Sequence, residues 1–137
     1  MEIFIVNKEH IEHVWPDIEK FVADALTYFP GRYTTDDIKN GFLKEERQLW
    51  IAVEDSVIFG VVGTHVVIYP QTKTLFMHFI GGNDGLRWKA PMLKVLQSFA
   101  KDNGCSRLEA QGRPGWKKIF DSDGLKTYSV CFDIPVE

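Results

Sequence analysis

The chain predicts an α/β fold in which a mixed sheet of six to seven strands is flanked by about four helices. Three observations carry this expectation. Residues 74–111 read as a strand (Thr74–Ile80), a glycine-bearing loop (Gly81-Gly82-Asn83-Asp84-Gly85), a helix ending near Asn103 and a second strand (Arg107–Gln111). That order demands a crossover and so a parallel pair. Upstream, Gln48–Glu54, Val57–Tyr69 and Thr74–Ile80 follow one another across short turns, as in an antiparallel meander. Ahead of them, two segments carry apolar residues at helical spacing.

Length and composition bound what such a fold can be. With 137 residues, 45% hydrophobic and 26% charged, the chain is expected to be a single domain spanning 1–137 with a core of its own. No apolar run approaches the ~20 residues that cross a bilayer, and no basic region followed by an apolar core opens the chain. Cys105 and Cys131 lack metal-type spacing, so a reducing cytoplasm is the expected setting. A net charge of −3 and a pI near 5.8 give no electrostatic reason to bind nucleic acid.

In chain order, Glu2–Val6 makes a short strand and Asn7 caps the helix after it. Ile11, Val14 or Trp15, Ile18, Phe21 or Val22, Ala25 or Leu26, and Phe29 recur at helical spacing and give that helix its inner face, with Pro16 expected to kink or split it. Tyr28–Tyr33 is an aromatic turn, read as a packed corner. Thr34 or Thr35 caps the second helix, with Asp36 and Asp37 in its first turn and Ile38, Phe42 and Leu43 on its apolar side. The mostly apolar strand near Val57–Val67 suits a central position covered on both faces. Met92, Leu93, Leu96, Phe99 and Ala100 give the third helix its inner face, Asn103-Gly104 ends it, and Pro91 is expected in its first turn. Pro114 opens a short fourth helix through Phe120, with Gly124 closing it, and Leu125–Ile134 is expected as a last strand or hairpin arm.

This order of elements, together with Leu93-x-x-Leu96-x-x-x-Ala100-x-x-x-Gly104 and Ile119-Phe120-x-x-x-Gly124-Leu125, resembles the GCN5-related N-acetyltransferase (GNAT) superfamily. The resemblance implies acetyl-CoA as co-substrate, an amine-bearing small molecule or protein as acceptor, and direct acyl transfer between them. It implies that pantetheine lies along Phe79, Ile80 and Gly81, and pyrophosphate on the 82–89 loop. The family's loop, Gln/Arg-x-x-Gly-x-Gly/Ala, falls by ungapped spacing on Asp84, Arg87 and Lys89; a shifted register brings Gly82, Gly85 and Arg87 to the same places. Glycine matters there because a side chain would stand between phosphate and backbone N–H groups. Arg87 and Lys89 are the cations that can hold the anion instead. The tyrosine that commonly protonates the departing thiolate is matched by Phe120, and the asparagine and alanine before it by Arg113 and Trp116.

Acyl transfer to an amine needs a base. A two-residue loop at Gln71-Thr72 would pair Pro70 with Lys73 and set His65 opposite His78, so that either imidazole can serve. Glu109 is a further base, and Tyr128 or Cys131 a substitute acid. His10 and His13 supply only two ligands on an exposed helix face, so no metal is assigned. Two functions follow: an acetyl-CoA-dependent N-acyltransferase, or a catalytically inactive GNAT-fold binding or assembly protein of the kind tailed phages encode. A homodimer is left open.

Overall fold

The computed structural model describes residues 1–127, 129 and 131–136. Its elements are β1 (Glu2–Ile5), α1 (Lys8–Leu26), α2 (Thr35–Leu43), β2 (Gln48–Glu54), β3 (Val57–Ile68), β4 (Lys73–Gly82), α3 (Gly85–Asp102), β5 (Arg107–Ala110) and α4 (Pro114–Phe120), with a 3-10 turn at Asp121–Asp123. One five-stranded sheet runs in the order β1-β2-β3-β4-β5. The first four strands are antiparallel, and β4 and β5, joined through α3, are parallel. The mixed sheet and four helices follow the sequence expectation, but among the described residues the sheet has five strands and not six to seven. The described residues of Leu125–Ile134 lie outside any strand, with Phe132 and Ile134 more than four-fifths exposed. The edge strand β5 is four residues long and would offer few ladder bonds to an added strand.

Two cores sandwich the sheet. Ile11, Trp15, Ile18 and Val22 of α1 and Ile38 and Phe42 of α2 pack on Leu49, Ile51, Val61 and Phe79. On the opposite face, Trp88, Met92 and Leu96 of α3 and Trp116 and Phe120 of α4 pack on Trp50, Val62, Leu75, Met77 and Ile80. Coverage of both faces explains why β3 is apolar on both sides. Two glycines let the layers close. A Cβ on Gly60 would stand 2.4 Å from two carbons of the Trp88 indole, and one on Gly63 would stand 2.2 Å from the Phe79 ring.

The split at Pro16 and the first-turn place of Pro91 need correction. Helix α1 is continuous with Pro16 inside it, and α3 starts at Gly85, which puts Pro91 beyond the first turn. A proline leaves the carbonyl four residues earlier without its helical donor. Those carbonyls belong to Glu12 and Arg87, both exposed residues, where access to solvent lowers the cost of the lost bond. Asn7 occupies the N-cap position of α1 without a side-chain cap bond. Thr34 does cap α2: its Oγ1 accepts the Asp37 N–H at 3.1 Å while Asp37 Oδ2 accepts the Thr34 N–H at 2.9 Å, a reciprocal capping box. Among the described residues, no helix is long and apolar enough to cross a membrane.

Candidate active site

The parallel pair β4 and β5 stays in register from Thr74/Arg107 to Met77/Ala110, and a last bond runs from the Gln111 N–H to the Met77 carbonyl at 3.1 Å. Beyond it β4 continues to Gly82 while β5 has ended. The strands part there, leaving the β4 edge at residues 78–82 without a strand partner on that side. A cleft of about 240 Å³ occupies the parting, lined by α1 residues Lys20, Phe21, Asp24 and Ala25, by Tyr28 and Phe29, by Ile80–Asn83, and by Gly112 and Arg113. Phe79 is wholly buried and its side chain belongs to the α1-side core. Gly81 and Gly82 lie against backbone: a Cβ on Gly81 would meet the Phe21 carbonyl oxygen at 2.8 Å, and one on Gly82, whose φ is +125°, the Phe59 oxygen at 2.3 Å. These two glycines are therefore required by packing and by a left-handed backbone. A larger groove of about 590 Å³, lined by Met1, Trp50 and Phe99, lies along α3 away from this parting.

The loop into α3 departs from what the sequence suggested. Asp84 is the N-cap, in a left-handed conformation, and brings a carboxylate to the helix start. Arg87 pairs with Glu54 and, at 3.9 Å, with Asp84, and its guanidinium lies 5.1 Å from the Phe59 ring centre. Lys89 donates to the Ile119 carbonyl at 2.9 Å, Ser122 Oγ at 2.9 Å and Asp123 Oδ2 at 3.0 Å. Both cations are thus engaged within the chain. Trp88 is sealed under α3, its indole N–H donating to the Asn83 carbonyl at 2.8 Å. Gly85 faces Trp116, whose ring a Cβ would approach to 2.6 Å. Trp116 in turn lies 5.4 Å from Trp88 and 6.2 Å from Phe120, centre to centre. The residues that do bring cations to the parting are Lys20 and Arg113. Neither has a carboxylate within 4.0 Å among the described residues.

Beside the cleft, past the end of α1, lies a second group of polar side chains. The expected pairing of His65 with His78 is corrected by the register. The connection of β3 to β4 is a four-residue loop, closed by the Tyr69 N–H to the Thr72 carbonyl at 2.8 Å. Ile68 therefore faces Lys73, and His65 faces Phe76. A shift between Gly63/Phe79 and Thr64/Met77 then leaves His78 as an extra residue, a β-bulge. A slip of two residues preserves the face, so the two imidazoles remain neighbours, ring centres 5.8 Å apart.

Arg47, just past α2, donates from its guanidinium to His78 Nδ1 at 2.8 Å. Because arginine only donates, that bond makes Nδ1 the acceptor and places the His78 proton on Nε2. Burial, then Arg47, His65 and Arg32, push the His78 pKa down to about 4; burial and Arg47 lower that of His65. His78 therefore stands at neutral pH as a neutral hydrogen-bond donor, poorly suited to accept a proton. His65 Nδ1 is sealed from solvent without a hydrogen-bond partner among the described residues. Glu109, opposite Phe76 on β5, accepts the Tyr69 hydroxyl at 3.3 Å. Burial and the Glu109 charge raise the Tyr69 pKa. Tyr128 lies outside the described residues, Cys131 is an exposed free thiol, and His10 and His13 are exposed on α1. Arg47, Lys20 and the positioning of Arg113 were not anticipated, and no motif surrounds them. Arg47 is 31 residues from His78 in sequence, and only the strand register brings them together.

No family model and no curated sequence matches the chain. Solved structures do. A probable acetyltransferase superposes with a TM-score of 0.74 at 12% identity, covering 100% of this chain and 99% of its own. A ribosomal-protein-alanine N-acetyltransferase from Brucella melitensis biovar Abortus 2308 gives 0.73 at 13% identity, covering 99% and 100%. The aminoglycoside N-acetyltransferase AAC(6')-Iy, in complex with CoA, gives 0.69 at 19% identity, covering 98% and 93%. The resemblance read from the order of elements thus extends to three dimensions: the chain has the fold of the GCN5-related N-acetyltransferase superfamily.

Proposed function

We propose that the protein is an acetyl-CoA-dependent N-acyltransferase whose cofactor cleft is held by residues other than the usual loop. The observation that carries this reading is the parting of β4 and β5 after Met77 and Ala110. An extended pantetheine arm can pair with the free edge of β4 at Phe79, Ile80 and Gly81, as an added strand would. One of the matching folds was solved with CoA, which supports the same use of the cleft here. The fit is good for the pantetheine arm and different for the phosphates. Arg87 and Lys89 are committed to internal acids and carbonyls, and Asp84 opposes an anion at the start of α3. Gly82 and Gly85 shape the chain there without being the seat of the charge. Lys20 and Arg113 line the cleft and supply the positive charge for the phosphates.

In the reaction, the amine nitrogen attacks the thioester carbonyl, the new C–N bond forms, the C–S bond breaks, and the CoA thiolate leaves. Glu109 is the better candidate to take the amine's proton, because the Nδ1 atom of His78 is occupied and its pKa is low. His78 and His65 instead orient the acceptor as neutral imidazoles. Phe120 is buried in the α3-side core, so the thiolate takes its proton from water.

A second reading has an observation of its own. Trp116 closes against Gly85, which favours an inactive GNAT-fold binding protein. Calorimetric titration with acetyl-CoA separates the two. Binding near micromolar, roughly −8 kcal/mol, that weakens in Lys20→Ala/Arg113→Ala and persists in Arg87→Ala/Lys89→Ala supports the enzyme reading. No heat from folded wild-type protein refutes it.

A further inference from the structure

The two outer strands of the sheet, β1 and β5, present different edges. The β5 edge carries Arg107 and Glu109, charges that discourage another strand from pairing there. Along β1 the only charge is Glu2, while Phe4 is 47% exposed and Ile5 43%, and neither a proline nor a register shift blunts the strand. The Val6 N–H donates to the Leu49 carbonyl of β2. Backbone groups alternate sides along a strand, so those of Phe4 also turn to β2, and those of Ile3 and Ile5 point outward. Beside this edge runs the groove of about 590 Å³ along α3, lined by Ile3, Trp50, Val95 and Phe99, with Lys94 and Asp102 as its charged residues. On the other face α1 packs chiefly on β3 and β4, which leaves Phe4 half uncovered.

We propose that β1 pairs edge to edge with β1 of a second copy, about a two-fold axis at Phe4 normal to the sheet, so that the two five-stranded sheets become one. The edge is self-complementary in this antiparallel register. Ile3 faces the partner's Ile5, both with outward backbone groups, and each such pair exchanges its N–H and C=O bonds. Phe4 faces the partner's Phe4 in the closer, non-hydrogen-bonded position, Cα atoms about 4.5 Å apart, where an aromatic pair stabilises the ladder. Ile3 lies on the α3 side of the sheet and directly opposed residues share a face, so the partner's Ile5 comes down on the groove beside Ile3. Moving the axis to Ile3 or to Ile5 sets Phe4 opposite the partner's Glu2 or the partner's Val6 and loses the aromatic pair. Charge also fits a two-fold. Glu2 meets the partner's Val6 rather than a second carboxylate. Lys94 and Asp102 lie along the groove on α3, and the two-fold reverses their order, so each end of the interface presents a lysine from one copy and an aspartate from the other. Ladder bonds from so short a strand are few, and burial of Phe4 and Ile5 supplies the rest. This edge is across the sheet from the parting of β4 and β5, so the pairing stands whether or not acetyl-CoA binds.

Sedimentation equilibrium of the full chain tests it. From roughly 1 to 300 μM the wild type is expected to pass reversibly from monomer to dimer, as small interfaces of this kind do. Phe4→Lys and Phe4→Glu, each shown to be folded by circular dichroism, are each expected to weaken association roughly tenfold or more, because like charges then stand directly opposite. Their equimolar mixture is expected to associate more tightly than either alone, which happens only where residue 4 faces residue 4. Amide exchange at Ile3 and Ile5 should slow as protein concentration rises, while Phe4, already turned to β2, should not follow. Should a Phe4 variant fail to fold, Ile5→Lys sets a charge over the groove and is expected to weaken association roughly tenfold or more. The proposal is overturned if the wild type stays monomeric to roughly 300 μM, or if Phe4→Lys or Ile5→Lys dimerises like the wild type. It is overturned equally if the mixture associates no better than its components, or if Phe132→Ser/Ile134→Ser, on the exposed segment after α4, abolishes the dimer. No acyl-CoA is present, so failure of CoA binding and failure of this interface are read separately.

Discussion

Acidification should destabilise the protein through His78. In the unfolded chain the imidazole titrates near 6.5, and in the folded protein near 4. The unfolded state therefore holds the extra proton between those values, so stability falls as pH drops through that window and levels off below it. At full strength a difference of this size corresponds to about 3 kcal/mol. Exposed Arg32 and Tyr33 lie beside the ring, and solvent screening reduces the expected loss to about 1–2 kcal/mol. His65 acts in the same direction. Urea unfolding of wild type and His78→Gln across this range isolates the effect, because Gln can accept from Arg47 without titrating and the carboxylates are common to both. The stability difference should move against the wild type by about 1–2 kcal/mol as pH falls from about 6.5 to about 4. Arg47→Met should raise the His78 midpoint in an NMR titration. A wild-type midpoint at or above 6.5, or a difference that does not change with pH, would refute the reasoning.

Two further substitutions test how the layers are held. Gly60→Ala places a methyl 2.4 Å from the fully buried Trp88 ring and should cost about 1–3 kcal/mol in denaturant unfolding; an unchanged midpoint would mean the indole is not seated there. Lys89→Met removes the donor shared by Ile119, Ser122 and Asp123. It should cost about 1–3 kcal/mol and speed amide exchange in α4, with acetyl-CoA affinity unchanged; a large drop in that affinity would return Lys89 to the phosphate site.

The layers were legible in the sequence because they rest on periodicity. Ile11, Trp15, Ile18 and Val22 repeat at helical spacing, and the βαβ order from Thr74 to Ala110 left little choice of topology. The strand ends were harder. Whether the chain turns in two residues or four between β3 and β4 depends on Tyr69 and Thr72 closing a loop, and one bulge then moved His78 out of line. The face survived because the slip was even, so the histidine neighbourhood was foreseeable while its hydrogen bond to Arg47 was not. The strand or hairpin arm expected over Leu125–Ile134 does not form in its described residues, and a sequence pattern says nothing about whether a strand will find a partner for its edge. Arg87 and Lys89 had the right charge and the right place in the sequence, but Glu54 and Asp123 were invisible as their partners.

That contrast bears on how a cation should be judged in this fold. A basic residue near a helix start is available to a ligand only if the fold has not already answered its charge. Arg87 and Lys89 are answered by acids that also tie β2 to α3 and α3 to the turn after α4, so binding phosphate with them would loosen the layers they join. Lys20, Arg113, Arg32 and Arg47 have no such acid within reach among the described residues. Lys20 and Arg113 line the parting of β4 and β5, and Arg47 reaches His78, the bulged residue at its start. Although Asp24 also lines that cleft, an anion on Lys20 and Arg113 would break no ion pair the fold already has. Many cations of the chain lack an acid partner among the described residues, so what singles out Lys20 and Arg113 is that they also line the parting of β4 and β5, and that joint condition is a stronger pointer to ligand chemistry than the number of basic residues in the loop.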